Sequence, residues 1–209
     1  MIFDEVLKMM TTPNQTALDM SLSDCHADGL FSLVVGGEKD ESTGKLKHGT
    51  LTRVFVATKE IKPFDIQFHS HRYGLKIGVI DGVFEHHVAY PYSVHDGIGS
   101  LNTIKMKAFR YKSPLNGGTG LEYVQDGNFK LESYKIPKGG EVFLESYEIH
   151  SVSCSKGTAW VVQEQGFDCD HSVVLGTSFQ TEGLYNTPKQ FQTNDTFTLV
   201  YDKLKKLLG

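Results

Sequence analysis

Histidines are the metal-binding side chains that this sequence groups most closely. Four of its nine histidines lie in residues 68–87, FHSHRYGLKIGVIDGVFEHH. His69 and His71 have H-x-H spacing, and residues i and i+2 of a strand point to the same face. One strand can therefore present two imidazoles to one metal ion. His150 lies in HSVSC, a second segment for which we predict a strand, and it is the candidate third ligand.

A turn signal at Asp81-Gly82 follows the histidine pair. We predict a two-residue hairpin here, in which Ile77 pairs with His86. In this register His86 lies on the buried face, whereas Glu85 and His87 face solvent. His86 is then a fourth metal ligand, a group that supports the ligands, or a buried histidine bonded to the backbone. A one-residue bulge would exchange these roles. The other expected members of the buried face are Leu75, Val79, Phe84, Val88 and Tyr90.

The stretch from His69 to Gly82 resembles the first motif of the cupin superfamily, small β-barrels that hold one divalent metal. GGEVFLESYEIHSV resembles the second motif, with His150 as its histidine. The resemblance covers about residues 50–175. The glutamate ligand usual in the family falls at Leu75, which cannot bind metal. The resemblance therefore implies a three-histidine site of His69, His71 and His150, similar to that of the thiol dioxygenases, a cupin branch that binds iron.

This resemblance implies a metal-dependent oxidoreductase of the dioxygenase type, with a thiol or a small acid as substrate. It implies Fe²⁺ as the cofactor, although Zn²⁺, Ni²⁺ and Mn²⁺ also accept three imidazoles. The resemblance offers Arg53, in LTRVFV, as the counterpart of the arginine that binds the substrate carboxylate in that branch. Tyr73 has the same strand parity as His71, so both Arg53 and Tyr73 are candidate catalytic residues. Cys154 stands where the second motif often has asparagine.

Two other functions fit the same residues. A barrel without metal, whose histidines are only hydrogen-bonded, would bind or sense a small molecule without turnover. A cupin isomerase or epimerase would use a metal as a Lewis acid and would need an inward acid–base group, for which Glu85 and Tyr73 are candidates. Bound metal with oxygen consumption would distinguish the enzyme from the binding protein.

The elements that must position these residues are mostly strands. From Leu51 onward, short β-rich runs alternate with turn signals, which predicts an all-β, jelly-roll-like antiparallel barrel of the cupin type. The runs include FDIQFHSH, and Asp126-Gly127 is an expected turn. Apolar spacing predicts short helical segments near the N-terminus and a C-terminal helix. We predict a single domain over 1–209, with an N-terminal extension (1–48), a barrel (50–176) and a C-terminal loop and helix (177–209).

Composition limits the classes of function. The 209 residues are 39% hydrophobic and 22% charged, with a net charge of −4, as expected for a globular domain. No basic block favours nucleic acid or an anionic membrane, and no apolar run approaches the roughly 18 residues of a membrane helix. Three cysteines without C-x-x-C spacing favour the cytoplasm. We expect a small-molecule substrate or ligand as partner, and the terminal segments could form a homodimer.

For three other histidines and for Cys154 we expect no role in the site. We expect His26, His95 and His171 in loops or at the surface, and Cys154 as a small core residue. The loops at 91–103 and 113–120 are expected to contribute to substrate specificity.

Overall fold

The computed structural model describes residues 2–12, 14–92, 103–112, 118–166, 168–176, 189–190 and 194–209. The predicted fold class is confirmed: these residues form mainly antiparallel sheets, with helices near both ends. The helices are α1 (Ile2–Thr11), α2 (Gln15–Leu18) and α3 (Asn194–Leu208). The strands are β1 (Leu22–Ser23), β2 (Leu30–Gly36), β3 (Thr52–Ala57), β4 (Gly74–Asp81), β5 (Phe84–Tyr92), β6 (Thr103–Lys112), β7 (Gly120–Ile136), β8 (Glu141–Leu144), β9 (His150–Cys154), β10 (Ala159–Gln165), β11 (Ser172–Gly176) and β12 (Lys189–Gln190).

The first sheet contains seven strands in the order β12-β1-β2-β3-β10-β4-β8. Its central strands are buried on both faces, which explains apolar runs such as AWVV in β10. Trp160 and Val162 point into the barrel, whereas Ala159 and Val161 point to the outer face. The alternation along β10 therefore separates two cores.

Helices α1 and α3 cover the outer face of this sheet. Phe3 and Val6 of α1 pack with Val200 and Leu204 of α3 against β2, β3, β4 and β10. Gly78 of β4 makes close approach of α1 possible, because a Cβ atom there would lie within 2.9 Å of the side chains of Ile2 and Phe3. The terminal helices are thus part of the core.

The second sheet contains five strands in the order β11-β6-β7-β5-β9. Its two edge strands both pair with the segment 68–70. His69 exchanges backbone hydrogen bonds with His150 of β9, and Ser70 N–H donates to Val173 of β11. The segment 68–70 therefore joins the two edge strands, β9 and β11, of the curled sheet. A small core of Phe68, Ala89, Met106, Ala108, Phe129 and Leu175 packs together on these strands.

The predicted hairpin at Asp81-Gly82 is wrong. Strand β4 pairs with β10 and β8, whereas β5 pairs with β7 and β9, so the turn joins two sheets. Gly82 has a φ of +91°, and the Thr158 hydroxyl beside it donates to the Val83 carbonyl. The face assignment is nevertheless right for several positions, since Leu75, Ile77, Val79 and Phe84 share the barrel core.

Two local expectations also differ from the structure. Residues 64–71 form no regular strand: a turn occupies Lys62–Asp65, and the segment 68–70 pairs with its neighbours through the isolated bridge residue His69 and single backbone hydrogen bonds of Phe68 and Ser70. Asp126-Gly127 is no turn but part of the long strand β7, where Gly127 pairs with Met106. The Phe129 ring lies 2.9 Å from the position of a Cβ atom on Gly127, so a side chain here would require that ring to shift.

The predicted terminal helices are present as α1, α2 and α3. Among the described residues, no helix has the length and apolar character needed to cross a bilayer. His95, and the parts 93–102 and 113–117 of the two loops expected to set specificity, lie outside the described residues. The boundaries at residues 48 and 176 stay a prediction.

The packing of α3 predicts a stability difference between two leucines of the same helix. Leu204 is fully buried against α1 and the first sheet, whereas the side chain of Leu199 is 45% exposed. We expect Leu204→Ala to lower the free energy of unfolding by about 2–5 kcal/mol through lost burial and a cavity. The matched control Leu199→Ala should change it by less than about 0.5 kcal/mol. Urea denaturation measures both, and equal effects would contradict the docking of α3.

Candidate metal centre

Backbone pairing brings His69 and His150 together. The His69 N–H donates to the His150 carbonyl at 2.9 Å, and the His150 N–H donates to the His69 carbonyl at 3.0 Å. Residues paired in this way project their side chains to the same side of the sheet. The two ring centroids are 5.2 Å apart.

His71 joins this pair two residues after His69. Its N–H donates to the Ser146 carbonyl at 3.1 Å, which fixes the backbone next to the start of β9. Its ring centroid lies 4.8 Å from that of His69 and 5.1 Å from that of His150. One ligand nitrogen from each of the three histidines lies within 4.8 Å of the others. The structure therefore brings the three predicted ligands to one place.

The nitrogen atoms of the cluster are oriented by hydrogen bonds. His69 Nδ1–H donates to the Gln67 carbonyl at 2.7 Å, so its Nε2 carries the lone pair. His71 Nε2 and His150 Nε2 are 2.9 Å apart and share one hydrogen. Metal binding by both Nε2 atoms would require each ring to carry its hydrogen on Nδ1, so that both Nε2 lone pairs point at the ion.

His86 lies behind His150 and outside the set of three. Its Nε2 is 2.9 Å from His150 Nδ1, and its side chain is buried. With His150 Nε2 as a ligand, His150 Nδ1 carries the hydrogen and donates it to His86. This is the arrangement by which a second residue fixes the orientation of a metal-binding imidazole.

The environment keeps the histidines neutral. Burial lowers the pKa of His71 and of His150 well below the usual value, and neighbouring imidazoles add to the effect. Burial also lowers the pKa of His69 and of His86, to about 4 in each case. Neutral imidazole is the form that binds metal, so no proton has to leave a charged ring at pH 7.

A cavity of about 310 Å³ opens beside the cluster. The candidate residues Arg53 and Tyr73 both line it, together with Glu164. Arg53 Nε donates to Glu164 Oε1 at 3.3 Å, and Tyr73 hydrogen-bonds Glu164. Burial, followed by the Glu164 charge, raises the pKa of Tyr73, so its hydroxyl keeps its proton.

Two candidate residues at β5 lie differently from the sequence-based expectation. His87 was expected to face solvent, but it is buried between Ser133 and Ser153, at 2.6 and 2.8 Å. The expectation failed because both ring nitrogens are bonded by serines of the neighbouring strands β7 and β9, and because Phe64 and Phe68 lie beside His87 on the face that the hairpin register left to water. Glu85, on the same face, is half-buried.

Two cavity residues were not found from the sequence. His26 was expected in a simple loop, but its ring stacks on His69 with centroids 5.0 Å apart. Its φ of +68° is unusual for a residue other than glycine, and no sequence pattern indicated it. The sequence could have indicated Glu164, because it is an even number of residues from Trp160 and Val162 in β10 and therefore points to the same face of that strand.

Two cysteines and His171 do not belong to the three-histidine group. Cys154 packs in the barrel core, where burial raises the pKa of its thiol to about 12. Cys25 lines the cavity, and burial raises the pKa of its thiol to about 11. His171 is partly exposed and contacts Asp170 at 2.7 Å.

No protein-family model matches the sequence, and no curated protein is significantly similar to it. Among solved structures, hydroxypropylphosphonic acid epoxidase from S. wedmorenis is 10% identical with a TM-score of 0.35. That alignment covers 75% of this chain and 56% of the epoxidase, so the chain spans little more than half of its length. L-ribose isomerase from Cellulomonas parahominis is 10% identical with a TM-score of 0.36, over 94% of each chain. Likenesses this weak carry no argument about family or chemistry.

The buried ion pair predicts a large effect from one amide substitution. Glu164 is 2% exposed and accepts hydrogen bonds from Arg53, Gly49 and Leu51. We expect Glu164→Gln to lower the free energy of unfolding by about 3 kcal/mol, because it leaves the Arg53 charge buried without its partner. The control Glu132→Gln removes an exposed pair with Lys130 and should cost less than about 1 kcal/mol. A Glu164→Gln protein as stable as the control would contradict a buried pair.

Proposed function

We propose that this protein is a metal-dependent enzyme that acts on a small anionic molecule, and that its reaction is an oxidation of the dioxygenase type with Fe²⁺ as the metal. The observation that carries the proposal is the group of three neutral imidazoles of His69, His71 and His150, within 4.8 Å of one another, on the wall of a cavity. No other group of three potential ligands was found among the described residues.

The donor set fits a catalytic metal. Three protein ligands leave coordination positions open, whereas structural zinc sites use four. Imidazole suits Fe²⁺ as well as Zn²⁺, Ni²⁺ and Cu²⁺, and three neutral ligands leave the full charge of the ion in place. Bound there, the metal would act as a template and redox centre for oxygen and substrate.

The residues of the chain itself would bind and orient the substrate. The Arg53 side chain is 15% exposed, bonded by Glu164 on one side, and it lines the cavity. Tyr73 keeps its proton and stacks at 6.0 Å from His71, so it serves as a hydrogen-bonding group and not as a base. The mostly apolar walls lower the local dielectric constant, which would strengthen the electrostatic interaction between Arg53 and a bound anion.

A second candidate function is ligand binding without metal. One observation favours it: the hydrogen bonds His71–His150 and His150–His86, both 2.9 Å, connect the rings without an ion. In this case the barrel would bind a small molecule without turnover, as the sequence also allowed.

Metal analysis distinguishes the two functions. We expect untagged protein, reconstituted with Fe²⁺ without oxygen, to hold about one iron per chain. His71→Ala should lose it, because two imidazoles remain, whereas the surface control His171→Ala should keep it. Elemental analysis of dialysed samples gives the stoichiometry. Oxygen uptake with small acids and thiols then tests turnover. Iron content that is equal in wild type and His71→Ala, or zero in both, would overturn the proposed site.

His86 provides an independent test of how His150 is oriented. We expect His86→Leu to weaken metal binding by about 10–100-fold, because His150 Nδ1–H loses its acceptor. His86→Gln should restore part of the affinity, since its amide oxygen can accept the same hydrogen bond. Competition with a chromophoric chelator measures the affinities. If the leucine and glutamine variants bind metal equally well, His86 has only a packing role.

A further inference from the structure

The cavity has a polar end and an apolar end, which follow from strand register. Across β3, β10 and β4, Trp160 pairs with Phe55 and Val79, whereas Glu164 pairs with Leu75. Since these residues all point inward, the aromatic pair and the carboxylate mark opposite ends of the same wall.

The aromatic end of the cavity is closed by the packed rings of Phe55, Trp160 and Phe84, which we call the floor. Phe55 and Trp160 stack with centroids 5.4 Å apart, and Phe84 packs on Trp160 from the second sheet at 5.1 Å. Trp160 is 3% exposed, and Phe84 is fully buried. Ile77 and Val152 also line the cavity between the floor and the histidines. This part of the cavity offers apolar contacts to a ligand.

The opposite end carries a net positive charge. The charged residues in the cavity lining are Arg53, Arg72 and Glu164, which sum to +1. Two hydrogen bonds of Arg53, to Glu164 at 3.3 Å and to Ser32 at 3.5 Å, use one N–H group each of the five that a guanidinium carries. His71 lies at this end, next to Tyr73.

We propose that the cavity binds a small amphipathic organic acid, with its carboxylate at Arg53 and a ring or short alkyl group against Phe55 and Trp160. A volume of about 310 Å³ is at the small end of ligand pockets, which span roughly 300–1,000 Å³. It therefore favours a ligand with a single ring or a short chain. The assignment of this acid as substrate rests on the proposed function, but its binding does not require the metal.

The tryptophan content of the chain supplies a direct readout. Trp160 is the only tryptophan, and it lies at the proposed contact with the apolar group. The probe is 3-phenylpropionate, titrated into metal-free protein while Trp160 emission and the melting temperature are recorded. 3-Phenylpropan-1-ol lacks the charge and propionate lacks the ring. We expect the acid with the ring to bind about tenfold or more tightly than either comparison compound.

Two variants locate the ends of the ligand. The double variant Arg53→Met with Glu164→Gln removes both charges and so leaves no buried ion without its partner. We expect it to bind 3-phenylpropionate about tenfold more weakly and the alcohol about equally. Phe55→Leu opens the floor and should shift the preference to 4-phenylbutyrate. A thermal melt before titration confirms that each variant is folded.

The results separate this inference from the proposed function. The proposal that the ligand is an amphipathic acid would be overturned by any of three results. They are that 3-phenylpropan-1-ol binds as tightly as 3-phenylpropionate, that propionate does so, or that 3-phenylpropionate changes neither Trp160 emission nor the melting temperature. If the acid binds as expected but iron is absent from wild-type protein, the ligand class stands and the metalloenzyme does not. Binding of the acid by metal-free His71→Ala protein would confirm that Arg53 and the floor suffice.

Discussion

The site depends on one backbone interaction, the paired hydrogen bonds between His69 and His150. When two residues of an antiparallel pair each donate a backbone N–H···O hydrogen bond to the other, their side chains lie on the same side of the sheet. The segment 68–70 is also bonded to β11, so it is held from both sides. Its neighbours are the two edges of the second sheet. The position of the ligands therefore depends on closure of that sheet and not on the conformation of a free loop.

The buried polar groups behind the cluster restrict its geometry further. A buried polar atom without a partner costs free energy, so each hydrogen bond in a dry site favours one arrangement of the rings. Gln67 holds His69 through its carbonyl, and His86 holds His150. Among the described residues, His86 Nδ1 and the side-chain oxygen of Gln67 are buried atoms without a hydrogen-bond partner. Both belong to residues that hold a candidate ligand.

The asymmetry of the cavity comes from the same alternation that builds the core. Strand β10 points Trp160, Val162 and Glu164 inward in succession, so one strand supplies part of the aromatic end and the carboxylate at the opposite end of the cavity. Glu164 is stable in this position because Arg53 of the neighbouring strand and the backbone N–H groups of Gly49 and Leu51 compensate its charge. One wall of the cavity therefore has an aromatic end and a charged end.

The sequence by itself determined the features that depend on residues close together in the chain. The H-x-H spacing kept His69 and His71 together although their segment is not a regular strand. Strand parity put Leu75 and Ile77 on a buried face, and apolar periodicity located the terminal helices. Only the tertiary structure decided which strands are partners. It placed β4 and β5 in different sheets, buried His87 between Ser133 of β7 and Ser153 of β9, and brought His26 onto His69. The reason is physical: parity is a property of a single strand, whereas pairing and burial are set by segments far apart in the chain, and a turn signal such as Asp81-Gly82 fits a hairpin and a sheet-to-sheet connection equally well.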